Sequence, residues 1–349
     1  MATYYEKIIK QLSPLDLSDE TIVKKLAIVM ANAEMLRIDG ANHVILQSQC
    51  ATLLEFIKYG KKVFTFKEDL CYLLNFTDLK EVDASHIKLP FQCFYINGFH
   101  CLDFRTSNEN SYVMDSVFVR GYPLNDATEL MSIRGTVSLD KMAEEFNIKR
   151  EDMLYALEFI LTTESTEKLD DDYLVFPYIL TKGDALKQIT EKCRNRHAMF
   201  STHSAELVEK LLKFILNCVL YINSDEAVIK NITPQAPKSS RKASRSRRTS
   251  PTRKTASATY YSVGSNITIN RKEREAYAEA CRDKYSRITA SWIVRGHWHG
   301  YWKRLENIAD SDRVSNIGET KALIKKWLQP YIKGNQEVAI LHKNYTVNA

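Results

Sequence analysis

The chain has 349 residues, 44% of them hydrophobic and 26% charged, with a formal net charge of +6. That length exceeds the usual single core, so two domains are the default expectation, and the composition is that of an ordinary soluble globular protein. No stretch approaches the ~20 apolar residues of a spanning helix; the nearest, LLKFILNCVLYI, carries Lys213 and Asn217, and the N-terminus MATYYEKIIKQL lacks the apolar core of a signal peptide, which reads as a cytoplasmic protein with no membrane partner.

The charge is divided along the chain. Residues 231–349 carry 23 Lys/Arg against 9 Asp/Glu, whereas residues 1–230 carry 26 against 34, so only the C-terminal part attracts a polyanion. The seven cysteines form no CxxC pair, which in a reducing compartment reads as buried small hydrophobes and argues against zinc or disulfide frameworks.

In SPLDLSDETIVKKLAIVMANAEML, Ser18 is placed to cap a helix whose first turn holds Asp19 and Glu20, and Ile22, Leu26, Val29 and Ala33 recur at helical spacing. A second helix is predicted over 41–59, ending at Gly60. After Pro90 the pattern changes. FQCFYING, FHCLDFRT and SYVMDSVFVRGYP are aromatic and β-branched runs separated by Asn-Gly and SNEN, which predicts an antiparallel meander. Residues 137–163 return to helical spacing through Met142, Phe146, Met153, Leu157 and Ile160, predicting two helices broken near Asn147. YLVFPYIL is a strand whose Pro177 marks an edge or a bulge, and HSAELVEKLLKFILNCVLYI is a helix with one broad apolar face.

Residues 233–258 contain no large apolar side chain. Lys238, Arg241, Lys242, Arg245, Arg247, Arg248, Arg253 and Lys254 occur there without a single acid, which describes a tether that cannot collapse and whose charges could also hold phosphates. Beyond it come a strand at TYYSVGSNITI, a charged helix at RKEREAYAEACRDKYSR, and strands at 290–302, 321–332 and 337–347. The predicted fold class is therefore α+β, with a helical N-terminal region at 1–88, a mixed domain at 89–230, a basic Ser/Arg-rich linker at 231–258, and a small basic β-rich domain at 259–349.

SWIVRGHWHGYW at 291–302 concentrates three of the four tryptophans with two histidines and an arginine. As one strand it would put Trp292, Trp298 and Trp302 on one face as a packing core, joined by Trp327 further on, and Arg295, His297, His299 and Tyr301 on the other, with a bend or bulge at Gly296 or Gly300. Three uses of the polar face compete. The side chains could satisfy buried partners. They could bind RNA, with Arg295, Tyr301, Lys303 and Arg304 acting beside Arg245, Arg247 and Arg248 of the linker. Or His297 and His299 could be general base and acid of a ribonuclease, with Arg295 stabilising phosphorane charge. Metal is the weakest reading, because no acid or cysteine nearby completes a site, and the sequence calls for no cofactor.

IVRGHWHGYW, followed after a gap by KKWLQPYIKG, resembles the C-terminal signature of a type V-A anti-CRISPR family that lowers the amount of the CRISPR effector nuclease rather than blocking the finished enzyme. LPFQCFYI, YLVFPYILTKG and LLKFILNCVLYINSDE are similar to the family's corresponding strand, strand and helix, in the same order, so the resemblance covers about Leu89 to the end. It implies a protein of a phage or mobile element that acts in the bacterial cytoplasm, recognises the effector's nascent N-terminal peptide on the ribosome and causes loss of its messenger RNA. The implied partners are that nascent chain, the ribosome and the message. The alternatives are direct cutting by this chain or a non-catalytic adaptor that recruits a host ribonuclease. The basic linker is longer and more charged than the family leads one to expect.

Overall fold

The computed structural model describes residues 19–35, 40–79, 82–99, 102, 114–124, 129–132, 135–145, 147–163, 174–183, 187, 205–233, 258–269, 291–294, 296–304, 321–328 and 331–334. The helices are α1 (Asp19–Met35), α2 (Gly40–Lys58), α3 (Glu68–Asn75), α4 (Leu139–Glu145) and α5 (Ala205–Ile222). The strands are β1 (Lys62–Phe66), β2 (Cys93–Asn97), β3 (Met114–Pro123), β4 (Glu129–Ser132), β5 (Gly135–Ser138), β6 (Met153–Thr163), β7 (Leu174–Thr181), β8 (Ile229–Asn231), β9 (Thr259–Val263), β10 (Ser291–Val294), β11 (His297–Arg304), β12 (Lys321–Leu328) and β13 (Tyr331–Gly334).

Seven strands form one mixed sheet in the order β7-β6-β3-β2-β1-β9-β8. Its centre, β2-β1-β9, is parallel and both flanks are antiparallel. Alternating side chains feed two cores. Val63, Cys93, Tyr95, Phe118 and Ile160 pack with Ile22 and Leu26 of α1 and Cys50, Leu53 and Phe56 of α2. The residues between them, including Phe64, Phe94, Val117, Phe159 and Leu161, point the other way and pack with α3 and α5. The molecule is thus a sheet with helices on both faces, as such double-sided apolar strands require.

Local chemistry sets the ends of these elements. α2 closes in a Schellman motif: Gly60 takes a positive φ of 81°, its N–H donates to Ile57 O at 3.1 Å, and Lys61 N–H donates to Phe56 O at 2.8 Å. The buried Lys61 ammonium then holds Asp19, in the first turn of α1, at 2.8 Å. Gly98, at φ +119°, passes so close to β1 that a Cβ there would lie 2.6 Å from Phe66 O.

Several expectations hold. Both N-terminal helices, the α5 helix and the edge position of the Pro177 strand are as predicted, since among the described residues β7 is an outer strand and pairs only with β6. Cys50, Cys71, Cys93 and Cys218 are buried, as small hydrophobes are. Desolvation pushes the Cys50 thiol up to about 11.

Other expectations are corrected. Only the first of the two helices predicted after residue 137 exists, as α4; the second, Met153–Thr163, is strand β6. Its alternate residues are buried against both helical layers, so its apolar run has no solvent face to reveal a period of two. β2 and β3 are antiparallel neighbours, as a meander requires; of the FHCLDFRT strand expected between them only Phe99 and Leu102 are described, joined by a turn in which Leu102 N–H donates to Phe99 O at 2.7 Å, and the rest lies outside the described residues. β1, from the region read as helical, lies at the centre of the sheet, and β9, from the region read as a separate β-rich domain, pairs with β1 on one side and β8 on the other. The basic segment therefore connects two adjacent antiparallel strands of one sheet. Its residues 234–257, the charged segment at 271–287 and the strand expected at 337–347 lie outside the described residues.

Candidate functional site

The Trp/His segment forms a two-stranded ribbon in two pieces, β10 with β13 and β11 with β12. Val294 pairs with Tyr331 and His297 with Leu328, so each strand advances by the same number of residues across the break and the register does not slip. Of the residues between the two pieces, Gly296 is described and lies in neither strand, while Arg295, Gln329 and Pro330 lie outside the described residues. Gly296, the expected irregularity, belongs to neither strand, and the matched register leaves no net bulge between the two pieces. The Gly296 carbonyl turns instead to the body and accepts from Asp78 N–H at 2.9 Å.

The inner end of the β11–β12 hairpin is built into the main core. Trp298 and Trp327 are a cross-strand pair, both buried. The Trp298 indole Nε1 donates to Asn217 Oδ1 at 2.9 Å, while Asn217 Nδ2 donates to the carbonyls of Leu74 at 3.3 Å and Thr77 at 3.1 Å. Trp327 Nε1 donates to Thr77 Oγ1 at 3.2 Å, and that hydroxyl donates to Leu73 O at 2.9 Å. The Trp327 ring meets Tyr221 edge to face at 5.2 Å, and burial pushes the Tyr221 phenol up to about 12. Every named polar atom in this junction has a partner, which is what a buried Asn, Thr and two indoles need. Asn217, Thr77 and Tyr221 were missed as site residues by sequence reasoning. The only signal was an asparagine inside the apolar run LLKFILNCVLYI, and it could not name a partner 81 residues away.

The outer end is different. Trp302 is 59% exposed, which corrects its assignment to the packing core. It shares the Trp298 face of the strand, but four residues at ~3.3 Å carry it roughly 13 Å beyond the junction. Tyr301, on the opposite face, is 40% exposed. His297 is half-buried and His299 exposed; their rings lie 6.3 Å apart, and His299 meets the Tyr301 ring edge to face at 4.7 Å. Lys326, paired with His299, donates to Glu226 at 3.0 Å, and this hydrogen bond holds its ammonium above the ordinary lysine value.

Lys303 and Arg304 end β11, half-buried and exposed respectively. The structure thus brings His297, His299, Tyr301, Trp302, Lys303 and Arg304 onto one hairpin. Trp292 is placed by its backbone in β10, while Arg295, Arg245, Arg247 and Arg248 lie outside the described residues. Neither β11 nor β12 contains an acidic residue, and no His/Cys/Asp/Glu group that could hold a metal occurs among the described residues. Such a surface presents exposed rings and cations on a fixed support.

A second polar cluster lies on the α2 face of the sheet. The buried Arg120 guanidinium pairs with Glu158, and Tyr122 donates to Glu55 on α2. Desolvation raises the Glu158 carboxyl above the ordinary range, outweighing the attraction of Arg120.

A model of the AcrVA2-like family, the anti-CRISPR type V subtype A2 family, matches residues 64–332, a span that runs from β1 to β13 and includes the hairpin. The chain belongs to this family of type V-A anti-CRISPR proteins. Among solved structures it is similar to one titled "Crystal structure of AcrVA2", at 14% identity over 93% of this chain and 90% of that one, with a TM-score of 0.44. No curated protein matches the sequence. No helix among the described residues is long and apolar enough to cross a membrane.

Proposed function

We propose that this anti-CRISPR protein acts during translation: it recognises the nascent N-terminal peptide of a type V-A effector nuclease and causes loss of the messenger RNA that encodes it. The observation that carries the reading is family membership over 64–332. The charge division supports it, since a basic C-terminal part suits ribosomal or messenger RNA. The exposure of Tyr301 and Trp302 beside Lys303 and Arg304 supports contact with RNA more than burial of a structural motif.

The test is co-expression with three versions of an effector gene: native, recoded with synonymous first codons, and recoded so that the N-terminal peptide changes. Transcript and protein should fall for the first two and be spared for the third. Unchanged levels in all three overturn the proposal. A further arm uses His297→Ala and His299→Ala. If the chain itself cuts the message through these histidines, both variants spare the transcript; if it recruits another nuclease, both remain active.

A further inference from the structure

We propose that the outer half of the β11–β12 hairpin is a binding site for single-stranded RNA, with Trp302 as the platform on which a base stacks. The proposal deepens the reading above by naming the hairpin's ligand, and it rests on that reading only for identifying the RNA as a message. Three observations meet there. First, HWHGYWKR and KALIKKWL together hold five lysines and arginines and no acid. Second, Trp302 leaves more than half of an indole in solvent at the end of a strand whose other tryptophan is buried. Third, the inner end is locked through Trp298 to Asn217 and through Trp327 to Thr77, so the exposed ring is carried on a rigid support rather than a loop.

The register adds shape and charge. Gly300, two positions before Trp302 on the same face, leaves the strand without a side chain beside the ring. Lys325 is paired with Gly300 and Lys321 with Arg304, so basic positions flank the ring on both sides along the ribbon. Cations alone would suit any polyanion, including a duplex or an acidic peptide. The ring chooses among them: bases in a duplex are already stacked and an acidic peptide has none, whereas an unstacked base offers a free π-face at each nucleotide.

The experiment uses the purified full chain and a fluorescein-labelled 12-nucleotide oligouridine, with a duplex RNA of the same length and a Glu/Asp-rich peptide as competitors. Anisotropy should show tighter binding of the single strand than of the duplex, weakening as salt rises. Trp302→Ala should weaken single-strand binding about tenfold, and Trp302→Phe should restore most of it. Because the basic linker can also hold phosphates, dependence on the ring is the readout that assigns the hairpin. Thermal melting of both variants confirms that they are folded. Equal affinity of Trp302→Ala and the parent overturns the site. Competition by the acidic peptide at the same concentration as RNA overturns the choice of ligand. Ring-dependent RNA binding together with unchanged effector levels on co-expression would keep this site and sink the translational role; loss of effector with no ring-dependent binding would do the reverse.

Discussion

Trp298 and Trp302 occupy the same face of one strand and have opposite fates, because strand periodicity fixes a side but not a depth. Trp298→Ala should destabilise the protein by about 3–5 kcal/mol, since it empties a buried site and strands the Asn217 carbonyl oxygen. Trp302→Ala should change stability by no more than about 0.5 kcal/mol in the same chemical denaturation measurement. A comparable loss in both variants would mean that Trp302 is packed.

The Arg120–Glu158 pair makes a pH-dependent prediction at the same scale. Arg120→Met leaves Glu158 buried without its cation and should cost about 3–5 kcal/mol near neutral pH, whereas Arg120→Met with Glu158→Leu should be close to neutral. The sign follows from the raised carboxyl of Glu158. The folded state holds the proton to higher pH than the unfolded chain, so stability from this group is present below the unfolded value and is lost as pH rises through the folded one. The single variant's deficit should therefore shrink when denaturation is repeated at about pH 5 rather than 8; a deficit that grows on acidification contradicts the assignment.

Among the elements, the helices were readable because their signals are local: apolar spacing in α1, the Gly60 stop of α2 and the broad apolar face of α5. β6 was not readable. Leu157, Phe159 and Leu161 pack on one side and Ile160 on the other, and a strand buried on both faces has the same continuous apolar run as a buried helix. The hairpin was readable as a ribbon with an irregularity at Gly296, but its attachment to α3 and α5 depends on contacts far apart in sequence. That attachment can be probed directly. Asn217→Leu removes an acceptor for Trp298 and two donors to backbone carbonyls, so it should cost about 3 kcal/mol and speed amide hydrogen exchange in β11 and β12 more than in the central sheet. Uniform acceleration across the molecule would show that the hairpin is not held separately by this junction.

For the whole molecule, composition and charge described a division that the fold does not follow. The acidic and basic parts of the sequence are interleaved in one sheet, because β9 returns to lie between β1 and β8 after the basic segment. Charge runs report on solvation and partners, whereas strand order is set by which apolar edges meet, and nothing in TYYSV states that its neighbour is KVFTF. A fragment ending at residue 230 lacks β9 and should fail to unfold cooperatively. A full chain whose residues 236–255 are replaced by a short Gly/Ser connection should keep its melting temperature within a few degrees, since shortening a loop between adjacent strands changes closure entropy only slightly. A cooperative fragment, or collapse of the shortened chain, would contradict this placement of β9.

The central claim, that the protein meets its target on the ribosome, is tested most directly by sedimentation with stalled ribosomes that display the effector's N-terminal peptide outside the exit tunnel. The purified protein should co-sediment with ribosomes carrying the native peptide and stay in the supernatant when that peptide is altered and the message otherwise kept. Equal recovery with both peptides, or with neither, would contradict it.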